Sequence, residues 1–397
     1  MQRQTTQIVI SGGGIAGLAA AAGFSGAGFD VVIADPVPPV VSEDADGADL
    51  RTTAFLQPAR SFLDHAGLWD RLAPFAQPLQ IMRIVDASGD PPVTCDFDAS
   101  DLGPEPFGWN LPNWLLRREM TAELATRPNV DFRPGVGFAT ALARSSGILV
   151  GLTDSTQLQA ELLIGADGRH SPVRNASGIG VKTTHYGQNA LTFAVTHPEP
   201  HQNVSTEVHQ SGGPFTLVPL PDHDSHPCSA VVWMSMGNAA HDLAALDDAA
   251  LAKAATARSA GVLGDLTPIG KRLIWPMMSQ TADRMIAPRT ALVAEAAHVI
   301  PPIGAQGLNM SLADLDSLLG LAQTHREALG SATMLDAYQA ARHKDVRMRV
   351  AGIDALNRAS MAGAPILQDL RRKGLSAMHA ITPLRNTLMQ MGLGAGR

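Results

Sequence analysis

Short unbroken apolar runs open the chain. Ile8-Val9-Ile10 and Val31-Val32-Ile33-Ala34 read as strands, and the stretch from Ile15 to about Ala27 between them reads as a helix. A proline- and acid-rich loop follows, then a helical pattern through Phe55, Phe62, Leu63 and Leu68. Ile81 to Val85 and Val93 to Phe97 alternate as strands around Ser88-Gly89-Asp90. Leu115 to Ala125 has helical spacing. Phe138 to Ala143, Ile148 to Leu152 and Leu158 to Ile164 read as three strands.

From about Lys182 the texture changes. Leu191 to Thr196, Val204 to His209, Phe215 to Pro219, Ser229 to Met234 and Arg272 to Trp275 are strand-like, and only Asp242 to Ala260 is helical. An α/β texture then returns: a strand from Arg289 to Ala294, a loop from Val299 to Asn309 and a helix from Met310 to about Thr324. Met334 to Gly392 is helical, with a break near Gly363-Ala364-Pro365. The expected fold class is α/β, with an inserted, mainly antiparallel β lobe and a C-terminal helical segment. The expected boundaries are 1–180 for the first α/β part, 181–280 for the lobe, 281–330 for the returning segment and 331–397 for the C-terminal helices.

Charge refines this picture. The formal net charge of −7 argues against general nucleic-acid affinity. From Ser331 onward there are 10 Lys/Arg against 4 Asp/Glu, so that segment carries +6 and the remainder −13. A basic tail on an acidic body suggests an anionic partner such as a membrane surface, or merely solvated helix faces. Arg371-Arg372-Lys373 are the best candidates for such a contact. Cys95 and Cys228 have no metal-like spacing and read as buried thiols of a reduced compartment. The first strand begins almost at the N-terminus and no run approaches the roughly 18 apolar residues of a spanning helix. The expected location is cytoplasmic, or peripheral on the inner face of a membrane.

Candidate chemistry centres on Gly12, Gly14 and Gly17, spaced as G-x-G-x-x-G between strand and helix. The first glycine permits a sharp turn, the second close approach of a pyrophosphate, and the third close helix–strand packing. Ile15 and Ala16 open a helix whose N-terminus favours phosphate. Asp35, closing the second strand, stands where a ribose hydroxyl needs an acceptor. A phosphate-free glycine turn remains the plainer alternative. Arg51 follows the acidic loop, and Arg117 lies in the first turns of a helix, where positive charge opposes the dipole; both are anion-ligand candidates or surface pairs. Gly165-Ala166-Asp167-Gly168 places a carboxylate at a strand's carboxyl end, as a ligand or as a turn former. The Val299–Asn309 loop carries two prolines and two glycines, which suit a rigid, closely approaching backbone. No second G-x-G-x-x-G follows a strand, so a separate nicotinamide domain is not expected.

Three motifs in order, IVISGGGIAG with Asp35, IGADGRHSPVR, and LVAEAAHVIPPIGAQGLN, give the chain a resemblance to class A flavin monooxygenases, the family of p-hydroxybenzoate hydroxylase. The chain looks most like the ubiquinone-biosynthesis hydroxylases, almost end to end. The resemblance implies an FAD-binding Rossmann-like domain, with Gly12, Gly14 and Gly17 on the pyrophosphate, Asp35 on the ribose, and Arg51 and Arg117 on the nucleotide. Asp167 and Gly168 match a motif associated with FAD and NAD(P)H use. Glu295, Pro302, Gly304, Ala305, Gln306, Gly307, Leu308 and Asn309 match the flavin-facing segment. In that segment the family's Gly-Asp becomes Ala294-Glu295 and its Gly-Gln-Gly becomes Ala305-Gln306-Gly307. The resemblance further implies NAD(P)H as transient reductant, O₂, and a flavin C4a-hydroperoxide that hydroxylates the phenolic ring of a polyprenylated ubiquinone precursor, with other ubiquinone-biosynthesis enzymes as partners. Competing functions are a flavin-dependent lipid reductase or dehydrogenase, and a non-catalytic subunit that retains the fold. No metal site is expected. The residues name no catalytic acid or base: His298 suits loop-setting or chemistry equally, and His185 and His209 read as isolated histidines of the lobe.

Overall fold

A computed structural model describes residues 4–210, 212–361, 368, 372, 374–375 and 379–392, with the side chains at 384, 388, 391 and 392 excepted. The break expected near Gly363-Ala364-Pro365 lies outside the described residues, as do Arg371 and Lys373.

Buried apolar strands assemble a six-stranded sheet. Its order is Ile286–Ala287, Thr290–Leu292, Leu162–Gly165, Ile8–Ser11, Val31–Asp35 and Val130–Pro134; all neighbours are parallel except the first pair. The Ile15–Gly26 helix is rich in alanine and glycine and is buried almost throughout. Small side chains let it lie between the sheet and two further helices, Asn113–Leu124 and Gln306–Thr324. Arg127 ties these parts together by donating to Ala22 O, Ser25 Oγ and Ala66 O. The Ala332–Met361 helix docks through Tyr338, whose buried hydroxyl donates to Leu292 O at 3.0 Å.

The second major unit is an eight-stranded sheet. Its order is His298–Val299, Thr267–Ala282, Val181–Thr196, His226–Met236, Pro214–His223, Val204–His209, Ile81–Asp86 and Val93–Asp98. The early hairpin over residues 81–98 therefore extends this sheet, through parallel pairing of Ile81–Asp86 with Val204–His209. Strand alternation sorts its two faces. Val208, Phe215, Leu217, Val231 and Trp233 pack outward with Leu251 and Ala255 of the Asp248–Arg258 helix. Ser205, Glu207, Thr216, Val218 and Val232 point the other way, into a cavity.

Several expected boundaries move. Leu158 to Ile164 is two strands: Gln157–Ala160 joins a four-stranded sheet and Leu162–Gly165 the six-stranded one. The switch is at Glu161, where two successive amides donate to Gln7 O. Phe55 belongs to the strand Thr52–Leu56, and its helix starts at Gln57 with Pro58 in the first turn. The lobe's helix breaks into Ala239–Ala244 and Asp248–Arg258, because Asp247 caps the second by accepting from Ala250 N at 2.7 Å. The strand after Arg289 is only Thr290–Leu292, since Ala294 turns left-handed at φ 55°. The helix of the returning segment begins at Gln306, not Met310.

Candidate active site

One cavity of about 1020 Å³ is lined from both large sheets. Gly12, Gly14, Ile15, Ala16 and Asp35 line it from the first α/β unit. Arg51, Arg117, Asp167 and Gly168 add a polar margin. Glu295, Pro302, Gly304, Ala305, Gly307 and Leu308 come from the returning segment. Gly17, Gln306 and Asn309 do not reach it. Gly17 lies behind the turn, Gln306 is used by Gly304 O and Arg349, and Asn309 bonds Leu56 N, Ala54 O and Ala305 O.

The three motif glycines meet different constraints. Gly12 turns the chain at φ 110°, and a Cβ there would stand 2.3 Å from Ala166 O. A Cβ on Gly17 would stand 1.9 Å from Gly12 O, so helix and strand meet as backbone on backbone. A Cβ on Gly14 would meet no atom within 4 Å. Gly14 thus leaves open ground over the N-terminus of the Ile15–Gly26 helix, where free N–H groups and the dipole favour an anion. Asp35 braces the turn: Oδ2 accepts from Gly13 N at 2.5 Å and Oδ1 from Val37 N at 2.7 Å.

Asp49 was not singled out from the sequence, yet it organises the arginines. It accepts from Arg51 Nε at 2.8 Å and Nη2 at 2.7 Å, and from Asn113 Nδ2 at 3.0 Å; Arg117 lies 3.9 Å away. Burial pushes the Asp49 carboxyl up, but Arg51, Asn113 and Arg117 more than offset it, leaving it below the usual range. The Arg51 guanidinium also lies over the Trp275 ring, 4.1 Å from its centroid. Arg117 Nε is buried without a hydrogen-bond partner among the described residues.

Asp167 accepts from Ser11 Oγ and from Val173 N, both at 3.1 Å, beside Ser171, whose Oγ caps the short Pro172–Ala176 helix by accepting from Arg174 N at 2.9 Å. Burial raises its carboxyl above the ordinary value. Its Oδ1 has no partner among the described residues. Glu295 pairs with Arg169, with two contacts of 3.2 Å. His298 belongs to a buried network: Nε2 is 2.6 Å from Asp314 Oδ2, and Arg342 Nε donates to Asp314 Oδ1 at 2.8 Å. Arg342 continues to Asp345, which also takes Arg349, and Arg349 reaches Gln306. His298 Nδ1 is buried, unpartnered among the described residues, and on a residue that lines the cavity. Ala305 caps the Gln306–Thr324 helix in a left-handed conformation, φ 56°.

The opposite wall is mostly apolar: Leu79, Met82, Phe107, Val218 and Val232. Ser205, Glu207 and Asn110 are buried polar exceptions among the lining residues. His209 is not isolated, since its Nε2 lies 2.8 Å from Glu207 Oε1. The i, i+2 spacing of an acid and a histidine on a strand was the available signal. Tyr186 bonds Ser279 at 2.6 Å inside the lobe.

These residues fit a dinucleotide-type cofactor. The cavity is at the upper end of the roughly 300–1,000 Å³ of ligand pockets. It offers a phosphate-ready turn at one end, and Arg117 Nε, Asp167 Oδ1 and His298 Nδ1 are unpartnered polar atoms around it. A family model described as an FAD binding domain matches residues 5–351. A ubiquinone hydroxylase, UbiL, of Rhodospirillum rubrum is 32% identical over 395 residues, 98% of this chain and 90% of the relative. The 3-demethoxyubiquinol 3-hydroxylase of Escherichia coli is 28% identical, covering 99% of this chain and 100% of the relative. The fold matches p-nitrophenol 4-monooxygenase PnpA of Pseudomonas putida with a TM-score of 0.80 at 17% identity, over 100% of both chains. It also matches an FAD complex of Klebsiella pneumoniae HpxO, TM-score 0.76 at 19% identity, over 98% and 99% of the two chains. With a family model matching most of its length and a relative at 32% identity across nearly all of it, the chain belongs to the class A flavin-dependent monooxygenases, a family of FAD-dependent aromatic hydroxylases.

Proposed function

We propose that this chain hydroxylates the phenolic ring of a prenylated ubiquinone precursor, using FAD, NAD(P)H and O₂. The observation that carries the reading is a single cavity with an anion-binding glycine turn on one wall and an apolar sheet on the other. The names of the relatives, a ubiquinone hydroxylase and a demethoxyubiquinol hydroxylase, supply the substrate class.

In this reading Gly12, Gly14, Ile15 and Ala16 receive the pyrophosphate at the helix N-terminus, and Asp35 receives the ribose beyond the turn it braces. Arg51 and Arg117, held by Asp49, balance phosphate charge. Pro302, Gly304, Ala305, Gly307 and Leu308 lie along the ring system, with the Gln306–Thr324 helix directing its positive end there. Bound FAD supplies the redox and oxygen-activating chemistry. The protein holds the phenol against the sheet wall and keeps water out. NAD(P)H reaches the flavin transiently from solvent. Contact with an anionic membrane surface belongs to the same proposal. It rests on fewer free charges than the composition suggested: Arg342, Arg349, Arg358 and Arg385 pair with carboxylates of the same chain, and Arg372 donates to Pro91 O. Among the described residues, no helix is long and apolar enough to cross a membrane.

The test is turnover of a phenol bearing a short isoprenoid chain, with NADPH or NADH and labelled O₂. The expected result is one labelled oxygen in the product. Substrate reduction or desaturation without label supports a reductase instead, and absence of both FAD binding and turnover supports a non-catalytic subunit.

A further inference from the structure

The sheet wall holds a carboxylate for which the cofactor has no use. Glu207 is 6% exposed and lies on the strand Val204–His209, paired in register with Thr216 on one side and Ile84 on the other. Alternation puts Val208 into the outer core and Glu207 toward the cavity, beside Ser205, Thr216, Val218 and Val232. His209, two residues on, meets only one of its oxygens, Oε1. Oε2 has no partner among the described residues. Asn110, on the Gly108–Pro112 strand of a separate three-stranded sheet, is 0% exposed and donates from Nδ2 to Pro219 O at 3.0 Å, so its Oδ1, unpartnered among the described residues, is sealed from the cavity.

A buried carboxylate in apolar surroundings is costly unless its oxygens meet donors. This wall offers an occupant one accessible acceptor, Glu207 Oε2, and otherwise hydroxyls and hydrocarbon. The matching occupant is an apolar ring that presents O–H groups. We propose that Glu207 is the base of the hydroxylation: it accepts the hydrogen bond of the phenolic hydroxyl and takes its proton, with His209 as the positioning residue. The inference rests on the aromatic-hydroxylase reading above.

In the resting complex the phenol keeps its proton, because a phenol is a far weaker acid than a carboxylic acid. An electrophilic oxygen, which O₂ and NAD(P)H would supply through bound FAD, bonds to the ring as its O–O bond breaks and the second oxygen leaves as water; the phenolic O–H then becomes strongly acidic. That bond breaks, its electrons form a ring carbonyl, and the proton passes to Glu207 Oε2. The C–H at the new C–O bond then loses its proton to solvent, the ring regains aromaticity, and the carbonyl oxygen recovers a proton from Glu207. The carboxylate ends as it began, and only one anionic charge occupies the wall at any time.

The probes are 4-propylphenol and its methyl ether, 4-propylanisole, titrated into the FAD-loaded protein and followed by perturbation of the flavin spectrum. Wild type should prefer the phenol by about 10-fold or more, the range of a hydrogen bond to a charged group. In Glu207→Ala the preference should fall to within about 2-fold. Glu207→Gln keeps an acceptor but not a base, so it should bind 4-propylphenol and hydroxylate it about 10²- to 10⁴-fold more slowly. His209→Gln should fall between, and Glu207→Asp should restore part of the rate. Should the Glu207 variants fail to retain FAD, the wild-type preference decides alone. Equal affinity of wild type for phenol and ether, or wild-type turnover by Glu207→Gln, overturns the proposal and leaves the hydroxylase reading intact. A wild type that discriminates the two probes but oxygenates no phenol keeps the contact and removes the function.

Discussion

Gly14 and Gly17, three positions apart, face opposite surroundings: open space for the first and the Gly12 carbonyl for the second. Gly17→Ala should therefore damage the fold itself. The returning segment shows the reverse situation, with side chains where none is favoured. Ala294 and Ala305 both sit in the left-handed region, at φ 55° and 56°. Such a residue costs about 1–2 kcal/mol relative to glycine, partly offset by the lower unfolded-state entropy of alanine. Ala294→Gly and Ala305→Gly should each stabilise the protein by about 0.5–1 kcal/mol in urea denaturation. Loss of stability in either variant would show that its Cβ packs more favourably than the backbone is strained.

At the scale of elements, local signals carried further than distant ones. The strand, glycine turn, helix and second strand were readable from residues 8–35 because each is encoded within a few neighbours, and their observed bounds differ little from expectation. Leu158 to Ile164 misled because a continuous apolar run looks alike in one sheet or two; only Gln7, 154 residues before Glu161, marks the switch. The first turn of the Gln306–Thr324 helix hid behind its glycine and the preceding prolines. Asp49 was invisible as an organiser because Asn113 and Arg117 are brought to it by folding. The same holds for Asp314, which joins His298 to Arg342 while wholly buried. Removing one member of a buried network leaves charge uncompensated, so Asp314→Ala should destabilise by about 3–5 kcal/mol. Equilibrium denaturation measures this, and a change under about 1 kcal/mol would show the network to be energetically idle.

The whole molecule works as two walls. The small-residue helix and its parallel sheet present a backbone surface ready for phosphate, while the eight-stranded sheet turns one face to its own helical cover and the other to the cavity. The long Ala332–Met361 helix links them, through Tyr338 to the six-stranded sheet and Asn357 to Gln188 of the other. In the proposed function FAD lies across this space with its pyrophosphate over Gly14. Titration of FAD into apoprotein, wild type against Gly14→Ala, tests it most directly, with the apoprotein's thermal midpoint as control. The expected result is an unchanged midpoint, because the new Cβ meets no protein atom within 4 Å, and FAD affinity weaker by about 10-fold or more, because that Cβ occupies the cofactor's approach. Equal FAD affinity for the two proteins at equal stability would contradict it.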